Sequence, residues 1–399
     1  MARRRQQDRK RARKEASRPR EGAGPLPSLL GMSDLPGFDE LASTDAQRAA
    51  FDAAVAEASS AGVVPEELSM GCVVRLDRGF PAIACADGTF RAEFSAQLAK
   101  DKSARAAVGD WVAVRRPQAH DMGVVEKILP RESDIARWRG GNRGERQTLA
   151  ANVDVVLVAQ AVSDRGVELD RIVRSVVIAM DCGASAAVVL TKADRAASAS
   201  ALAADVALLL DVLGEGVPVV VTCAGAADGD RVSREGLRDA VSSAGAGWGE
   251  GAVRSLVPEG TVAIVLGESG AGKSTLLNAL LGREILETGA VRESDDAGRH
   301  TTVARRMVSL PGAGVIVDEP GLRSLPLVGH ERGLAKAFPL IADAARDCRF
   351  RDCTHTHEPG CEVRARVGEG YDDAQLEAYV TLAAEMRAAA LTLDPDVVL

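Results

Sequence analysis

The pattern of hydrophobic and polar positions divides the chain into regions of different periodicity. Between residues 71 and 129, short runs rich in β-branched and aromatic residues alternate with turn residues, and Asp87-Gly88 has the composition of a hairpin turn. About five short strands in some sixty residues suit a small closed barrel, and an OB-type barrel is the leading interpretation. An SH3-like barrel stays open as an alternative, since the periodicity does not distinguish the two.

From residue 153 onward the pattern changes to continuous apolar runs that alternate with helical stretches. Such runs are typical of parallel strands that are buried on both faces. Strands are predicted at residues 153–159, 186–190, 217–222, 262–266 and 314–317. The glycine-rich residues 242–252 are predicted to form a flexible connector before the fourth of these strands. Beyond residue 325 the pattern is helical and ends in an amphipathic helix at about residues 373–389.

Charge is distributed unevenly along the chain. The net charge is -8, but the first twenty residues carry +8 and the remainder therefore carries -16. A basic arm on an acidic body suggests a polyanionic partner held by phosphate contacts, although a tail that only aids solubility would have the same composition. The arm lacks the apolar segment of a secretory signal, and no apolar run has transmembrane length. We therefore expect a cytoplasmic protein without membrane contact.

The most specific motif is GESGAGKST at residues 267–275, which matches the P-loop pattern between a predicted strand and a predicted helix. In that context backbone N–H groups surround the β-phosphate, Lys273 reaches the β- and γ-phosphates, and the Ser274 hydroxyl binds Mg²⁺. The predicted phosphate-binding residues are Gly267, Glu268, Ser269, Gly270, Ala271, Gly272, Lys273, Ser274 and Thr275.

Two further motifs follow the P-loop. Asp318 opens a D-x-x-G motif directly after a strand, where its carboxylate would hold the metal through water and the Gly321 amide would meet the γ-phosphate. Between this motif and the P-loop lies GRHTT, in an acidic stretch without periodicity that is typical of a mobile switch loop. Either Thr301 or Thr302 is expected to complete the Mg²⁺ coordination when the γ-phosphate is present.

A guanine site is predicted upstream of the P-loop. Guanine recognition needs a carboxylate that accepts hydrogen bonds from N1–H and from the exocyclic amine, which adenine does not offer. TKAD supplies Thr191, Lys192 and Asp194 after a strand, and Cys223 and Ala224 follow the next strand as the loop that meets the guanine O6. An ordinary GTPase has these motifs after D-x-x-G, so the order here predicts a circular permutation, which leaves the strand order in space unchanged.

A metal site is predicted near the end of the chain. Cys348, Cys353 and Cys361 crowd together with His355 and His357, either of which could complete a Cys3His set for one tetrahedral, structural Zn²⁺. The other cysteines are scattered through apolar runs, as expected of buried thiols. We thus predict a basic disordered arm and linker (residues 1–35), a helical lead-in (36–66), an OB-fold barrel (67–135), a circularly permuted α/β P-loop GTPase domain (150–325) and an α-helical zinc-binding domain (326–399).

From about residue 64 to the end, the chain resembles the circularly permuted ribosome-assembly GTPases called ribosome small-subunit-dependent GTPase A. The resemblance includes GDWV in the barrel, LAANVD, TKAD, the P-loop, GRHTT, D-x-P-G and CRFRDCTHTHEPGC. It implies GTP hydrolysis that is stimulated by the small ribosomal subunit during late maturation, with GTP or GDP, Mg²⁺ and Zn²⁺ as ligands. We expect a monomer that contacts rRNA, and the family pattern favours His355 over His357 as the zinc ligand.

The hydrolytic residue is less clearly marked. Many GTPases carry a glutamine after D-x-x-G, whereas this chain has Leu322, so His300 in the switch loop is the expected water-orienting residue, and the resemblance also implies this role. Two positions depart from the family pattern: Thr191 replaces an asparagine that braces the P-loop, and Glu319 adds a negative charge near the phosphates. Lower guanine affinity is the expected effect of Thr191.

Two other functions are compatible with parts of the sequence. A P-loop kinase or ATPase would prefer adenine and would have no use for TKAD. A non-catalytic RNA-binding zinc protein would hold the nucleotide only as a structural ligand.

Overall fold

The structure is a computed structural model, and it describes residues 34–60, 62–77, 80–100, 105–117, 122–139, 145–223, 233–282, 305–318 and 330–391. The basic arm therefore lies outside the described residues. No helix in the described part of the chain is both long and apolar enough to cross a lipid bilayer.

A short 3-10 turn at Phe38–Glu40 and helix α1 (Asp45–Ser60) precede the barrel. The side chain of Gln47 on α1 is buried, and its amide donates to the Pro130 carbonyl at 3.1 Å and to the Asn152 side-chain oxygen at 3.0 Å. These bonds satisfy a buried polar group and join α1 to the segment that links the barrel to the following sheet.

The barrel contains β1 (Leu68–Asp77), β2 (Phe80–Cys85), β3 (Gly88–Phe94), β4 (Trp111–Arg115) and β5 (Gly123–Ile128), with the short helix α2 (Ala96–Lys100) after β3. Its strand order is β1-β2-β3-β5-β4, and a β1–β4 pairing closes it. Strands β3 and β5 are parallel, whereas the other pairs are antiparallel. This topology is that of an OB fold, so the barrel prediction is confirmed.

A two-stranded hairpin that the sequence patterns did not predict follows the barrel. It consists of β6 (Asp134–Arg139) and β7 (Glu145–Ala151), which pair with each other in a separate antiparallel sheet. The Asn152 backbone after β7 has a φ of 53°, and its side-chain amide donates to the Gly109 carbonyl at 2.8 Å. The hairpin thus carries the chain from the barrel into the α/β sheet.

The α/β region consists of β8 (Val155–Ala161), α3 (Leu169–Asp181), β9 (Ser185–Thr191), α4 (Ala199–Leu213), β10 (Val219–Val221), α5 (Arg234–Ser243), β11 (Gly247–Trp248), α6 (Gly249–Ser255), β12 (Val262–Leu266), α7 (Lys273–Leu281), β13 (Arg305–Ser309) and β14 (Val315–Asp318). The strand order is β11-β10-β9-β8-β12-β14-β13, and only β13 runs antiparallel to its neighbour in this series. Apolar clusters cover both faces of the sheet, as the continuous apolar runs predicted.

The expected connector at residues 242–252 is a wrong prediction. The segment contains the end of α5, the edge strand β11 and the start of α6. Gly247 lies so close to β10 that a Cβ there would stand 3.1 Å from the Val220 side chain. The glycines therefore permit close packing at the sheet edge here, and composition alone did not distinguish this role from flexibility.

The barrel and the α/β region share one hydrogen-bonded sheet. Strand β13 pairs with β14 on one side and with barrel strand β1 on the other, which joins them in a twelve-stranded sheet. The register across this seam is Arg75 opposite Arg306 and Leu76 opposite Arg305.

Helices α8 (Glu331–Ala337), α9 (Pro339–Arg346), α10 (Glu362–Ala365) and α11 (Asp373–Ala390) form the C-terminal module. The module packs on α3, where the Asp181 carboxylate lies 2.9 Å from the His330 ring nitrogen and accepts a bond from the Gly333 amide at 3.0 Å. Burial alone would raise the pKa of Asp181, but these partners hold it below its ordinary value. On α11, Ala378, Leu382 and Met386 are buried at helical spacing.

Candidate functional site

The P-loop connects β12 to α7 at the centre of the α/β sheet. Two of its glycines, Gly270 and Gly272, have φ values of 85° and 80°, which side chains with a Cβ rarely adopt. The Lys273 ammonium folds back over the loop and donates to the carbonyls of Gly267 and Glu268, the second at 2.8 Å. Ser274 and Thr275 lie in the first turn of α7, whose amino terminus is suited to an anion.

Close packing explains two glycines of the loop. A Cβ on Gly267 would stand 2.4 Å from the Ala159 carbonyl oxygen of β8, and one on Gly272 would stand 3.0 Å from the Thr191 hydroxyl. The loop is therefore seated against the ends of the neighbouring strands.

TKAD contacts the P-loop directly, although the two motifs are far apart in the sequence. The Thr191 hydroxyl donates to the Ala271 carbonyl at 2.7 Å, and the Lys192 ammonium donates to the Gly270 carbonyl at 2.6 Å. Lys192 has a φ of 56°, and burial and Arg195 lower its pKa. Thr191 thus braces the loop with a hydroxyl, at the position where the family pattern has an asparagine.

Asp194 lies in the 3-10 turn Ala193–Arg195, next to the loop that follows β10. The Cys223 thiol donates to the Asp194 carboxylate over 3.4 Å, so the two segments predicted to bind guanine meet. Burial and the carboxylate raise the pKa of Cys223, which keeps the thiol protonated and able to donate. The half-buried Asp194 carboxylate has further acceptor positions for a purine.

Asp318 is the last residue of β14, at the end of the parallel strands where the P-loop also begins. In the parallel pairing, Ile264 of β12 lies opposite Val317, so Asp318 is level with the residues that lead into the P-loop. Its carboxylate lies 3.6 Å from the Arg306 guanidinium. Burial raises the pKa of Asp318, while Arg306 lowers it. Mg²⁺ prefers oxygen ligands, and Asp318 offers a carboxylate beside the helix that carries the Ser274 hydroxyl.

The C-terminal module brings together Cys348, Cys353, His355 and Cys361, with one ligand atom of each within 4.8 Å of the others. Nδ1 of His355 lies 3.6 Å from the sulfurs of Cys348 and Cys361, which are 4.0 Å apart. A tetrahedral zinc with Zn–S distances of about 2.3 Å would separate two sulfurs by ~3.8 Å, so the cluster is compatible with one zinc ion.

The two histidines of this segment differ in surroundings. His355 is buried, and burial lowers its pKa, which favours the neutral imidazole that a metal needs. His357 is exposed, and its Nδ1 contacts the Thr356 hydroxyl at 2.8 Å. The structure therefore places His355, and not His357, among the three cysteines.

Several predicted site residues lie outside the described residues: Ala224, His300, Thr301, Thr302 and Gly321, together with Glu319 and Leu322. Two contacts at the site have no signal in the sequence. Arg171 on α3 donates to the carboxylate of the P-loop residue Glu268 at 2.9 Å, and Arg306 pairs with Asp318. No local motif marks either arginine, because both meet their partners through the packing of separate elements.

The family model described as RsgA GTPase matches residues 128–242 and 226–328. The small ribosomal subunit biogenesis GTPase RsgA of Streptomyces avermitilis is 38% identical over 362 residues, which are 89% of this chain and 90% of that protein. Its namesake from Streptomyces coelicolor is 40% identical over 325 residues, covering 80% and 81% of the two chains. This chain belongs to the RsgA GTPase family.

The solved structures of YjeQ and YloQ have the same fold as this chain. YjeQ from Thermotoga maritima matches with a TM-score of 0.55 and 21% identity over 80% of this chain and 99% of that one. YloQ, described as a circularly permuted GTPase, matches with a TM-score of 0.55 and 18% identity, covering 80% of this chain and 96% of that one. The family model and the Streptomyces relatives confirm the resemblance that the motifs indicated, and the two solved structures show the same fold.

Proposed function

We propose that this RsgA-family GTPase acts in late maturation of the small ribosomal subunit, that it binds rRNA, and that the subunit stimulates its hydrolysis of GTP. Its relatives from both Streptomyces species are named small ribosomal subunit biogenesis GTPases, which supports the assignment. The basic arm, the barrel and the zinc module are the proposed rRNA contacts, and the enzyme is proposed to act as a cytoplasmic monomer.

One observation supports guanine-nucleotide chemistry most directly. The bonds from Thr191 to Ala271 and from Lys192 to Gly270 connect TKAD to the P-loop across 80 and 78 positions of sequence. A P-loop kinase or ATPase would have no reason to fix a guanine-type carboxylate motif against its phosphate loop. A protein that held the nucleotide only as a structural ligand would need these bonds between TKAD and the P-loop, but it would not need the D-x-x-G motif.

Each part of the site has a proposed role. The P-loop amides, residues 267–275, and Lys273 would bind the phosphates, while Asp194 would accept hydrogen bonds from guanine and the Cys223-Ala224 loop would meet O6. Mg²⁺ would be held by Ser274, by Thr301 or Thr302, and through water by Asp318, and would neutralise charge on the β- and γ-phosphates. Gly321 would sense the γ-phosphate. Cys348, Cys353, His355 and Cys361 would hold one structural Zn²⁺.

Hydrolysis requires an oriented water, and we propose that His300 supplies the orientation when the subunit orders the switch loop. Loss of the γ-phosphate would then alter switch II and release the protein from rRNA. A change in switch II would reach the zinc module through the contact with α3, because Asp181 of that helix binds both His330 and Gly333.

The decisive experiment measures GTP and ATP turnover with and without purified small subunits. We expect slow intrinsic GTP hydrolysis, strong stimulation by the subunit and negligible ATP hydrolysis. His300→Ala should remove the stimulated rate while GDP and GTP-analogue affinities stay within about twofold, since the residue would act on water and not on the nucleotide. Undiminished stimulation in that variant would remove His300 from the mechanism, and equal ATP turnover would favour the kinase or ATPase alternative.

A further inference from the structure

Three charged residues lie side by side across the seam between the barrel and the α/β sheet. Arg306 of β13 is opposite Asp318 of β14 on one side and opposite Arg75 of barrel strand β1 on the other. Residues directly opposite each other project from the same face of a sheet. The row Arg75, Arg306 and Asp318 therefore runs from the barrel to the carboxylate proposed to hold Mg²⁺.

Each arginine in this row forms an ion pair with a different carboxylate. Asp77 accepts a bond from Arg75 at 2.7 Å and another from Arg91 at 2.8 Å, while Arg306 lies 3.6 Å from Asp318. The side chains of Arg306 and Asp318 are only 23% and 18% exposed, so water screens them weakly. Like charges directly opposite each other destabilise an antiparallel pair, and the flanking carboxylates offset this repulsion.

Arg306 also lies near the helix that follows the P-loop, across a small cleft. Together with Asp318, it borders a small apolar cleft that is lined by Leu277 and Leu281 of α7. The residue thus pairs with Asp318 and lies on the barrel seam, and a small cleft separates it from the helix after the P-loop.

We infer that Arg306 is a positioning residue that competes with Mg²⁺ for the Asp318 carboxylate and couples the position of this carboxylate to the barrel. The inference rests on the proposed role of Asp318 toward Mg²⁺. When the Asp318 carboxylate turns toward the proposed Mg²⁺ position, it moves away from Arg306. The positive charge of Arg306 is then less neutralised. The repulsion between Arg306 and Arg75 then increases, and the β1–β13 seam loosens. The barrel would in this way sense the nucleotide through a strand that it shares with the switch region.

The test uses the full chain and two readouts that do not depend on turnover. The first is GDP affinity across a Mg²⁺ titration. Arg306→Gln should lower the Mg²⁺ concentration at half-maximal GDP binding by about threefold, because Asp318 no longer has a competing partner, and Arg306→Lys should restore a value near wild type. Arg305→Gln is the matched control, since Arg305 lies on the same strand and projects from the opposite face.

The second readout is hydrogen exchange of the β1 and β13 backbone amides with and without Mg²⁺ and a GTP analogue. Wild type should exchange about threefold faster at the seam when the ligands bind, and both Arg306→Gln and Arg75→Gln should abolish this response. Arg75→Gln should leave the Mg²⁺ midpoint near wild type. An unaltered Mg²⁺ midpoint and an unaltered seam response in Arg306→Gln would overturn the inference, as would equal effects in Arg305→Gln.

Asp318→Asn separates this inference from the proposed function. A loss of Mg²⁺ dependence in Asp318→Asn, combined with wild-type behaviour of Arg306→Gln, would refute the relay alone. Wild-type Mg²⁺ dependence in Asp318→Asn would refute the assignment of Asp318 to the metal, and the relay would fall with it.

Discussion

The zinc cluster and the nucleotide site differ in how their parts are brought together. All four zinc-type ligands come from residues 348–361, in one segment between α9 and α10, with His355 in the left-handed conformation at a φ of 62°. The nucleotide site joins segments from distant parts of the chain, which occur in permuted order; Thr191 and Ala271, for example, are 80 positions apart. Spacing along the chain determines the first site, whereas strand order in the sheet determines the second.

The two sites also differ in what stabilises them. The P-loop is braced by hydrogen bonds from Thr191 and Lys192, which are contacts within the chain. The zinc cluster places three thiols beside an imidazole, and this arrangement gains most of its stability from a metal ion. Loss of one ligand should therefore unfold the zinc module, whereas loss of one brace should only weaken nucleotide binding.

The largest effect is expected from a zinc ligand. Cys361→Ser should reduce the zinc content from one ion per chain to almost none and destabilise the module by about 3 kcal/mol or more, because a structural zinc site contributes its binding free energy to folding. Metal analysis and thermal unfolding would measure both quantities.

His357→Ala is the matched control for this experiment, since His357 is exposed and its Nδ1 contacts the Thr356 hydroxyl. Zinc content and unfolding temperature should stay at wild-type values. Loss of zinc in His357→Ala, with retention in Cys361→Ser, would reverse the ligand assignment and remove the contrast between the two sites.

A smaller effect is expected from the brace of the P-loop. Thr191→Val keeps the shape of the side chain but removes the bond to the Ala271 carbonyl, and leaving a buried acceptor unpaired costs about 1–2 kcal/mol. GTP affinity should fall about tenfold while zinc content and overall folding persist. Thr191→Ser should retain most of the affinity, and equal losses in the two variants would show that the hydroxyl does not brace the loop.

The sequence predicted those features that depend on local pattern. The apolar runs located the parallel strands, the P-loop motif located the loop between β12 and α7, and the cysteine spacing located the Cys3His cluster. The permutation was also predictable, because motif order is visible in the chain. The OB topology needed the structure, since the parallel β3–β5 pairing is a long-range feature that periodicity does not encode.

Other features were hidden for the same reason. The β6–β7 hairpin and edge strand β11 have weak patterns, and the glycines of β11 resembled a connector. The seam of β1 with β13 joins residues more than two hundred positions apart, so the significance of Arg306 appears only when the strands are paired. Contacts of this kind follow from the fold as a whole and leave no local motif.

The central claim is that Asp194 and Lys273 serve opposite ends of one bound GTP, and a base-specificity exchange tests it most directly. Asp194→Asn replaces one of the two carboxylate oxygens, which are acceptors, with an NH2 donor. This donor suits xanthine, because xanthine has a carbonyl where guanine has its exocyclic amine. Relative affinities for GTP and XTP should be measured in wild type and variant. We predict that wild type prefers GTP and that the variant prefers XTP, with a change in the ratio of about 100-fold or more. An unchanged GTP-to-XTP ratio in Asp194→Asn would contradict the claim.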